Sequence, residues 1–392
     1  MHGAPLESMI AIADPRAFPD AANASAFVRD IFALAQESLG AATGDATRAR
    51  EDLLRDRLRR RVAEGGELAS LVADAPSVDV ARQVWRHLDA IAAETDDPTA
   101  GVVACIFAIP VVIVAGSEGE HADRVLPGTL RDPGRFTDIL REHDALNGNR
   151  TFALADSLVQ ADALDVARLP DILAWQRLPD SAGDSPAAGL RTLAPAPVHV
   201  GAGREGVHLR LLAGTALARP GADLFGDARV GAWGMPFTQE LGRALGVGGV
   251  SVLALPRAPQ RTLRAVAAGR AAQREVSAQI FASNALRRLR GAVGEPVAVI
   301  SAHRAPDAPG GGELRLSLSS VFEPRDAEGF RCPLGPLDRV GDVAAMLQDL
   351  LRDCRVSDVR VLSGVHPDRD AATGLPLLFK PETIPPGAAP LH

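Results

Sequence analysis

One apolar run constrains the fold of this chain more than any other segment. Residues 102–115 (VVACIFAIPVVIVA) contain no charged residue and carry Pro110 near their middle. A helix needs about 20 apolar residues to cross a bilayer, and a proline inside a helix breaks or kinks it. Because Val and Ile dominate the run, it is typical of a strand that is buried on both faces. It therefore predicts a buried strand or core segment of a globular protein, and no membrane partner is expected.

The composition also describes a globular protein with a sizeable core. Of the 392 residues, 46% are hydrophobic and 23% are charged, which is the usual balance of folded domains. A chain of this length predicts two or three domains. The net charge of −7 argues against a nucleic-acid partner, because proteins bind nucleic acids mainly by neutralising phosphates.

The near absence of lysine excludes two classes of enzyme. Lys380 is the only lysine among 42 lysine and arginine residues, and it precedes Pro381 in a Pro-rich tail. The phosphate-binding loop G-x-x-x-x-G-K-[ST] needs a lysine, and Schiff-base chemistry needs a lysine amine. P-loop nucleotide hydrolysis and pyridoxal chemistry are therefore not expected.

Cysteine usage and the first residues indicate the compartment. Cys105, Cys332 and Cys354 form no C-x-x-C pair, so neither a disulfide framework nor a zinc site is predicted. Residues 1–20 lack the basic start and the unbroken apolar stretch of a signal peptide. We expect a soluble cytoplasmic protein.

Changes in composition along the chain predict five regions. Apolar residues recur at helical spacing over residues 47–64 and 77–96, whereas residues 179–189 (PDSAGDSPAAG) are polar and typical of an exposed linker. The predicted regions are a helical region (1–98), an apolar strand and helix segment (99–178), a linker (179–189), a mixed α/β domain (190–380) and a Pro-rich tail (381–392).

The second half of the chain repeats a helix followed by a strand. This order predicts an α/β or α+β fold, in which a helical N-terminal region is followed by a mixed sheet with packed helices. Alternating apolar residues at 207–211 and 314–318 add hairpin strands. The predicted helix and strand pairs are 237–245 with 249–255, 277–289 with 296–301, and 340–354 with 359–363. Three further helices are predicted over residues 132–144, 151–160 and 169–177.

Three stretches resemble a bacterial family of unknown function that is found mainly in beta-proteobacteria. They are residues 104–116 (ACIFAIPVVIVAG), residues 152–165 (FALADSLVQADALD) and residues 351–382 (LRDCRVSDVRVLSGVHPDRDAATGLPLLFKPE). Together they cover 59 of the 392 residues. The chain lacks the cysteine pair that is expected near the C-terminus of that family. The resemblance implies a bacterial intracellular protein and assigns no catalytic residue.

Two predicted strands end with similar polar residues. His303 and Asp307 follow one strand, and His366, Asp368 and Asp370 follow another. If the two strands are parallel neighbours, their carboxyl ends lie at the same edge of the sheet and these side chains converge. Histidine and aspartate together suit a divalent metal or general acid–base catalysis. The alternative interpretation is that both groups are ordinary polar residues at the start of a loop.

A group of arginines is the candidate for binding an anion. Arg257, Arg261 and Arg264 have few acidic neighbours in the sequence, which favours an anionic ligand or an acidic partner surface. The alternative is that arginine clusters by chance, since it supplies nearly all the cations of this chain.

No complete catalytic motif is present, and two functions stay open. The first is a non-enzymatic protein that acts through a protein partner or self-association, for which the apolar residues 9–12 (MIAI) offer a docking segment. It needs no cofactor. The second is a metal-assisted hydrolase, in which the His and Asp residues at the strand ends hold a divalent metal.

Overall fold

The structure is a computed structural model. Most of the predicted linker, Asp307 and residues 9–11 lie outside the residues that it describes. The described residues are 12–16, 18, 25–40, 44–94, 101–117, 124–177, 187–201, 206–225, 230–291, 295–306, 311–320, 327–381, 384 and 390–391.

The described residues form ten α-helices and two short 3₁₀ helices. In chain order the α-helices are α1 (Ala26–Gly40), α2 (Gly44–Ala63), α3 (Ala69–Ala73), α4 (Val78–Ala92), α5 (Pro133–Glu142), α6 (Leu169–Gln176), α7 (Ala187–Leu190), α8 (Val230–Leu245), α9 (Thr262–Gly291) and α10 (Val340–Asp353). The 3₁₀ helices are Ala161–Leu164 and Val166–Arg168.

The same residues form twelve strands. They are β1 (Val103–Ser117), β2 (Arg124–Leu126), β3 (Phe152–Val159), β4 (Val198–Val200), β5 (Gly206–Ala218), β6 (Val250–Pro256), β7 (Gln260–Arg261), β8 (Pro296–Arg304), β9 (Gly312–Ser320), β10 (Glu328–Pro333), β11 (Asp358–His366) and β12 (Pro390–Leu391).

The strands lie in three sheets, and the predicted α/β class is confirmed. The first sheet is antiparallel, has the order β3-β5-β1-β6, and includes β7 paired to β1. The second has the order β10-β9-β8-β11-β12 and is mixed, because β8 and β11 are parallel while their other neighbours are antiparallel. A two-stranded sheet pairs β2 with β4. The helical N-terminal region is also confirmed, since α1 to α4 precede β1.

The chain divides into two compact units. Unit one contains the second sheet and comprises Met1–Thr47, Ser70–Val84 and Arg274–His392. Unit two contains the first sheet and comprises Arg48–Ala69 and Trp85–Gln273. The domain boundaries inferred from the sequence stay predictions.

The apolar run is strand β1, which pairs with β5 on one side and with β6 on the other. Pro110 is tolerated in this central strand because the side on which its N–H is missing faces the end of β6. Its carbonyl accepts a hydrogen bond from the backbone N–H of Arg257 at 2.8 Å, and the N–H and C=O of an antiparallel strand residue point to the same side. None of the described helices is long and apolar enough to cross a membrane.

One face of the first sheet is covered by an aromatic cluster from α5 and α8. The ring of Phe237 lies edge-on to Phe136 at 5.1 Å and to Trp233 at 5.2 Å between ring centroids. All three side chains are buried against apolar residues of β1 and β5. Such rings supply much of the apolar area that stabilises a core.

The second sheet is buried on both faces, but the two faces differ in chemistry. Leu314, Leu316 and Leu318 of β9 pack against apolar residues of α9 and α10. The alternate residues of β9 point to the opposite face, because side chains alternate along a strand. We call this opposite face the polar face. Its polar members are buried and comprise Ser301, His303, Glu313, Arg315, Ser317 and Ser319.

The predicted helix over residues 151–160 is wrong, because this segment is strand β3. Its Ala and Leu content favours a helix. However, Phe152 pairs with Ala216 and Val159 with Leu211 of β5, with an irregularity between Leu154 and Leu158. Packing against a neighbouring strand outweighs the modest difference in local propensity.

Two helices are longer than predicted. Helix α8 begins at Val230 and contains Pro236, whereas the sequence predicts a start at residue 237. Helix α9 runs from Thr262 to Gly291 and includes arginines that the sequence left unassigned. Both extensions add mostly small or polar residues. Such residues do not show the helical spacing of apolar residues from which a helix is predicted.

Candidate functional site

The two histidines predicted to converge do lie side by side at one end of the second sheet. Strands β8 and β11 are parallel neighbours, and His366 is the register partner of His303. Their ring centroids are 5.7 Å apart. The strand order therefore brings together two side chains that are 63 positions apart in the sequence.

The His303 ring is fully buried, and both of its nitrogens are engaged. Nδ1 lies 2.8 Å from the carbonyl oxygen of Pro367, and Nε2 lies 2.8 Å from the hydroxyl of Ser301. A carbonyl oxygen only accepts, so Nδ1 carries the proton and Nε2 accepts from Ser301. Burial lowers the pKa of His303 to about 4, against the raising effect of the bond to Pro367. The ring is therefore neutral at pH 7, and neither nitrogen is open to a metal.

The His366 ring is half-buried and lies edge-on to Phe379, with 4.5 Å between ring centroids. Burial lowers the pKa of His366. Its Nε2 has no hydrogen-bond partner among the described residues. Of the two histidines, only His366 therefore has a ring nitrogen without a hydrogen-bond partner among the described residues.

The two aspartates that follow His366 have partners of their own. The Asp368 carboxylate binds the guanidinium of Arg315. Burial acts to raise the pKa of Asp368, but the hydrogen bond and the charge of Arg315 lower it overall. The Asp370 carboxylate accepts from the backbone N–H groups of Ala372 at 3.0 Å and Thr373 at 2.8 Å, and so closes a tight turn.

The structure brings only some of the predicted site residues together, and those that it describes do not form a metal centre. Among the described residues, no group of three or more His, Cys, Asp or Glu side chains is placed to hold a metal ion. The sheet places His303 beside His366, and Asp368 follows His366 by two positions. The Asp370 carboxylate instead accepts hydrogen bonds within its own turn. Asp307 lies outside the described residues.

A buried ion network beside His303 was missed by the sequence analysis. Glu313 and Arg315 are register partners of His303 and Ser301, and their side chains are each 1% exposed. The Arg315 Nε donates to Glu313 at 2.6 Å, and Arg331 donates to the same carboxylate at 2.8 Å. The signal was present, because Glu313 and Arg315 alternate with leucines inside a predicted strand, and such alternation places both charges on one face.

The polar face is covered by the C-terminal segment, which we define as residues 367–381. Arg315 Nη1 donates to the backbone carbonyls of Asp368 at 2.5 Å and Leu377 at 3.0 Å. The Ser317 hydroxyl donates to the carbonyl of Phe379. Together with the bond from His303 to Pro367, four backbone carbonyls of this segment accept hydrogen bonds from side chains of the polar face.

The C-terminal segment also holds itself in a hairpin. The Leu377 N–H donates to the carbonyl of Asp368 at 3.0 Å, and the Asp370 N–H donates to that of Leu375 at 2.9 Å. Beyond the hairpin, the Phe379 ring is buried in a small cluster with Val299 and Leu362. The segment is thus attached by carbonyl bonds, one carboxylate and one aromatic anchor.

The arginines predicted to bind an anion lie in unit two. Arg264 Nε pairs with the Asp89 carboxylate at 2.7 Å. Arg261 Nη1 lies 3.5 Å from the Cys105 sulfur, and Arg257 bonds through its backbone N–H to β1. Because a carboxylate already occupies the Arg264 guanidinium, an anionic ligand there would compete with Asp89.

In comparisons with known proteins, no family model, curated protein or solved structure matches this chain. The resemblance to a beta-proteobacterial family stays a prediction, and the function has to be argued from the polar face itself.

The engaged nitrogens of His303 lead to a prediction about metals. We expect Zn²⁺, Mn²⁺ and Mg²⁺ to leave the melting temperature of the protein unchanged, because a ligand raises it only by binding the native state. Thermal unfolding with each metal and with a chelator measures this. A rise in the wild type that is lost in His366→Ala would contradict the prediction and support a metal site.

Proposed function

We propose that the protein is a non-enzymatic binding protein, in which the polar face of the second sheet holds an extended peptide segment with an acidic residue. The observation that carries the proposal is the set of four backbone carbonyls that accept hydrogen bonds from His303, Arg315 and Ser317. These donors are buried and lie on neighbouring strands. They bind main-chain atoms, as sites for extended peptides generally do.

Selectivity in this proposal comes from two side chains of the peptide. The carboxylate at Asp368 binds the Arg315 guanidinium, and such charge-assisted hydrogen bonds are about twice as strong as neutral ones. The ring at Phe379 is 5% exposed and fills an apolar site beside Val299. A matching peptide therefore carries an acidic residue and, eleven positions later, an aromatic residue.

The proposed partner is a protein segment of this kind, in the first instance the C-terminal segment of a second copy. A segment that binds its own chain makes the same contacts when two copies exchange it, so self-association needs no new surface. The proposal places the protein in the cytoplasm, where its three free cysteines suit a reducing compartment.

A binding experiment in two backgrounds tests this function. In the wild type, the attached segment competes at an effective concentration in the millimolar range, so a labelled peptide of residues 366–381 should bind weakly. Asp368→Ala loosens the attached segment and leaves the polar face intact. We expect the peptide to bind this variant at least about tenfold more tightly, since a hydrogen bond to a charged group contributes about 1.5–3 kcal/mol. Fluorescence anisotropy gives both affinities.

Two controls separate this outcome from non-specific binding. Adding Arg315→Met to Asp368→Ala should abolish the gain, because the guanidinium that receives the peptide carboxylate is then gone. A peptide with alanine at the position of Asp368 should show no gain either. The proposal would be overturned by equal affinities in the wild type, in Asp368→Ala, in the double variant and with the alanine peptide. Light scattering on the Asp368→Ala chain separately measures whether two copies associate.

A second candidate is the metal-assisted hydrolase. The observation in its favour is the 5.7 Å between the rings of His303 and His366 at the end of two parallel strands. In that proposal His366 is the first ligand and Asp368 has to leave Arg315 to become another. The metal titration described above decides between the two functions.

A further inference from the structure

Unit two contains an open groove, which is lined by none of the residues of the polar face. Its volume is about 300 Å³, which is at the lower end of the range for small-molecule sites. The polar side chains that line it are Gln160, Asp162, His208, Arg210, Arg270 and Gln273.

Arg210 is held rigidly at this groove. Its Nε and Nη2 donate to the carbonyls of Ala196 at 2.8 Å and Pro197 at 2.6 Å, and Nη1 donates to its neighbour Leu209 at 2.8 Å. Three of the five guanidinium N–H groups are thereby used, and two remain. A guanidinium that is already oriented loses little freedom when an anion binds.

The charge of Arg210 is not neutralised within the described part of unit two. No carboxylate of the described residues lies within 4 Å of its guanidinium, whereas Arg264 and Arg270 each have one. Burial lowers the pKa of Arg210. This half-buried cation is therefore the part of the groove that an anion would stabilise most.

Arg270 and Asp162, which also line the groove, have the opposite balance of charge. Arg270 pairs with Asp162 at 2.8 Å and with Asp165 at 2.7 Å, so two carboxylates face one cation. The Asp162 side chain is 81% exposed. A ligand with a second negative group would meet this excess negative charge.

Neutral hydrogen-bonding groups also line the groove. Gln160 is exposed at the rim, and Gln273 is anchored by a bond from its Nε2 to the Val207 carbonyl at 3.0 Å. Burial, together with Arg210 and His199, lowers the pKa of His208. These amides and the neutral ring offer partners for hydroxyl groups.

We propose that this groove binds a small, hydroxylated organic molecule with one oxyanion group, which is held by Arg210. The coplanar oxygens of a carboxylate and the tripodal oxygens of a phosphate can both pair with a guanidinium. The excess negative charge at Asp162 and Asp165 selects ligands with one anionic group over ligands with a second anionic group at their other end.

Isothermal titration calorimetry at constant ionic strength tests this proposal with lactate, malate and inorganic phosphate as probes. We expect saturable binding of lactate in the millimolar range and binding of malate that is at least about threefold weaker. If phosphate binds more tightly than lactate, the preferred ligands are phosphate esters. That result also supports the proposal that Arg210 binds an oxyanion. The absence of saturable binding for all three probes up to about 50 mM would overturn the proposal.

Two variants locate the binding, and one serves as a matched control. Gln160→Glu places a negative charge in the groove that Arg210 lines, without touching the bonds of Arg210 to the carbonyls, and should weaken lactate binding about tenfold or more. Arg210→Gln should abolish binding. Arg219→Gln removes an exposed arginine near the end of β5 and should leave binding unchanged. Since Gln160→Glu keeps the buried contacts intact, equal binding in Gln160→Glu and wild type would overturn the proposal even if Arg210→Gln failed to fold.

Discussion

Replacement of Arg315 by methionine should lower the free energy of unfolding by about 3–5 kcal/mol, the usual cost of removing one partner of a buried ion pair. The substitution leaves the Glu313 carboxylate, 1% exposed, without its buried cation. It also frees the carbonyls of Asp368 and Leu377 and the carboxylate of Asp368. We therefore expect hydrogen exchange in residues 367–381 to become faster than in the strands beneath. Urea unfolding and hydrogen exchange measure the two effects.

Arg331→Met is the matched control for that experiment. Arg331 donates to the same Glu313 carboxylate at 2.8 Å, but its side chain is 47% exposed. An exposed ion pair contributes about 0–1 kcal/mol, and among the described residues Arg331 forms hydrogen bonds with Glu313 and none with residues 367–381. If the two variants lost equal stability, the view that Arg315 attaches the C-terminal segment would be wrong.

Lowering the pH from about 6.5 to about 4 should destabilise the protein, because two buried histidines stay neutral in the folded state. Burial lowers the pKa of His87 to about 4, with further lowering by Arg86 and Arg55, and burial lowers the pKa of His303 to about 4. In this window the unfolded chain binds more protons than the folded chain. The stabilisation is therefore complete above about pH 6.5 and is lost as the pH falls towards 4, at about 1.4 kcal/mol per pH unit for each histidine.

The variant His87→Leu separates the two contributions. Neither ring nitrogen of His87 has a hydrogen-bond partner among the described residues, although the side chain is 3% exposed. Leucine removes a buried polar group without a partner, so we expect equal or higher stability at pH 7 and about half the slope below pH 6.5. The exposed His143, replaced by glutamine, is the control. A slope unchanged by His87→Leu would contradict this account.

Local patterns in the sequence were sufficient to predict much of the secondary structure. The helix predicted over residues 47–64 is α2, and the one over residues 340–354 is α10. The strands predicted at 296–301 and 359–363 are β8 and β11. These predictions succeed because the period of the apolar residues reflects which side of each element is buried.

The sequence predicted which residues begin the candidate site, but not the contacts that they make. His303 and His366 follow two similar strands, and the sequence supports their convergence once those strands are taken as parallel. The roles of the neighbouring groups could not be predicted. Arg315 reaches Asp368, 53 positions later, and His303 reaches Pro367, 64 positions later. No local pattern encodes which of many polar groups will meet.

By itself, the sequence determined that this is a mixed α/β protein, that its apolar run is a buried strand, and that polar residues end β8 and β11. These features follow from composition and residue period, which are local. Only the tertiary structure decided that residues 152–159 are a strand and that the C-terminal segment covers the polar face. Both depend on pairing with distant residues of β5 and β9, where strand pairing and buried hydrogen bonds outweigh local preference.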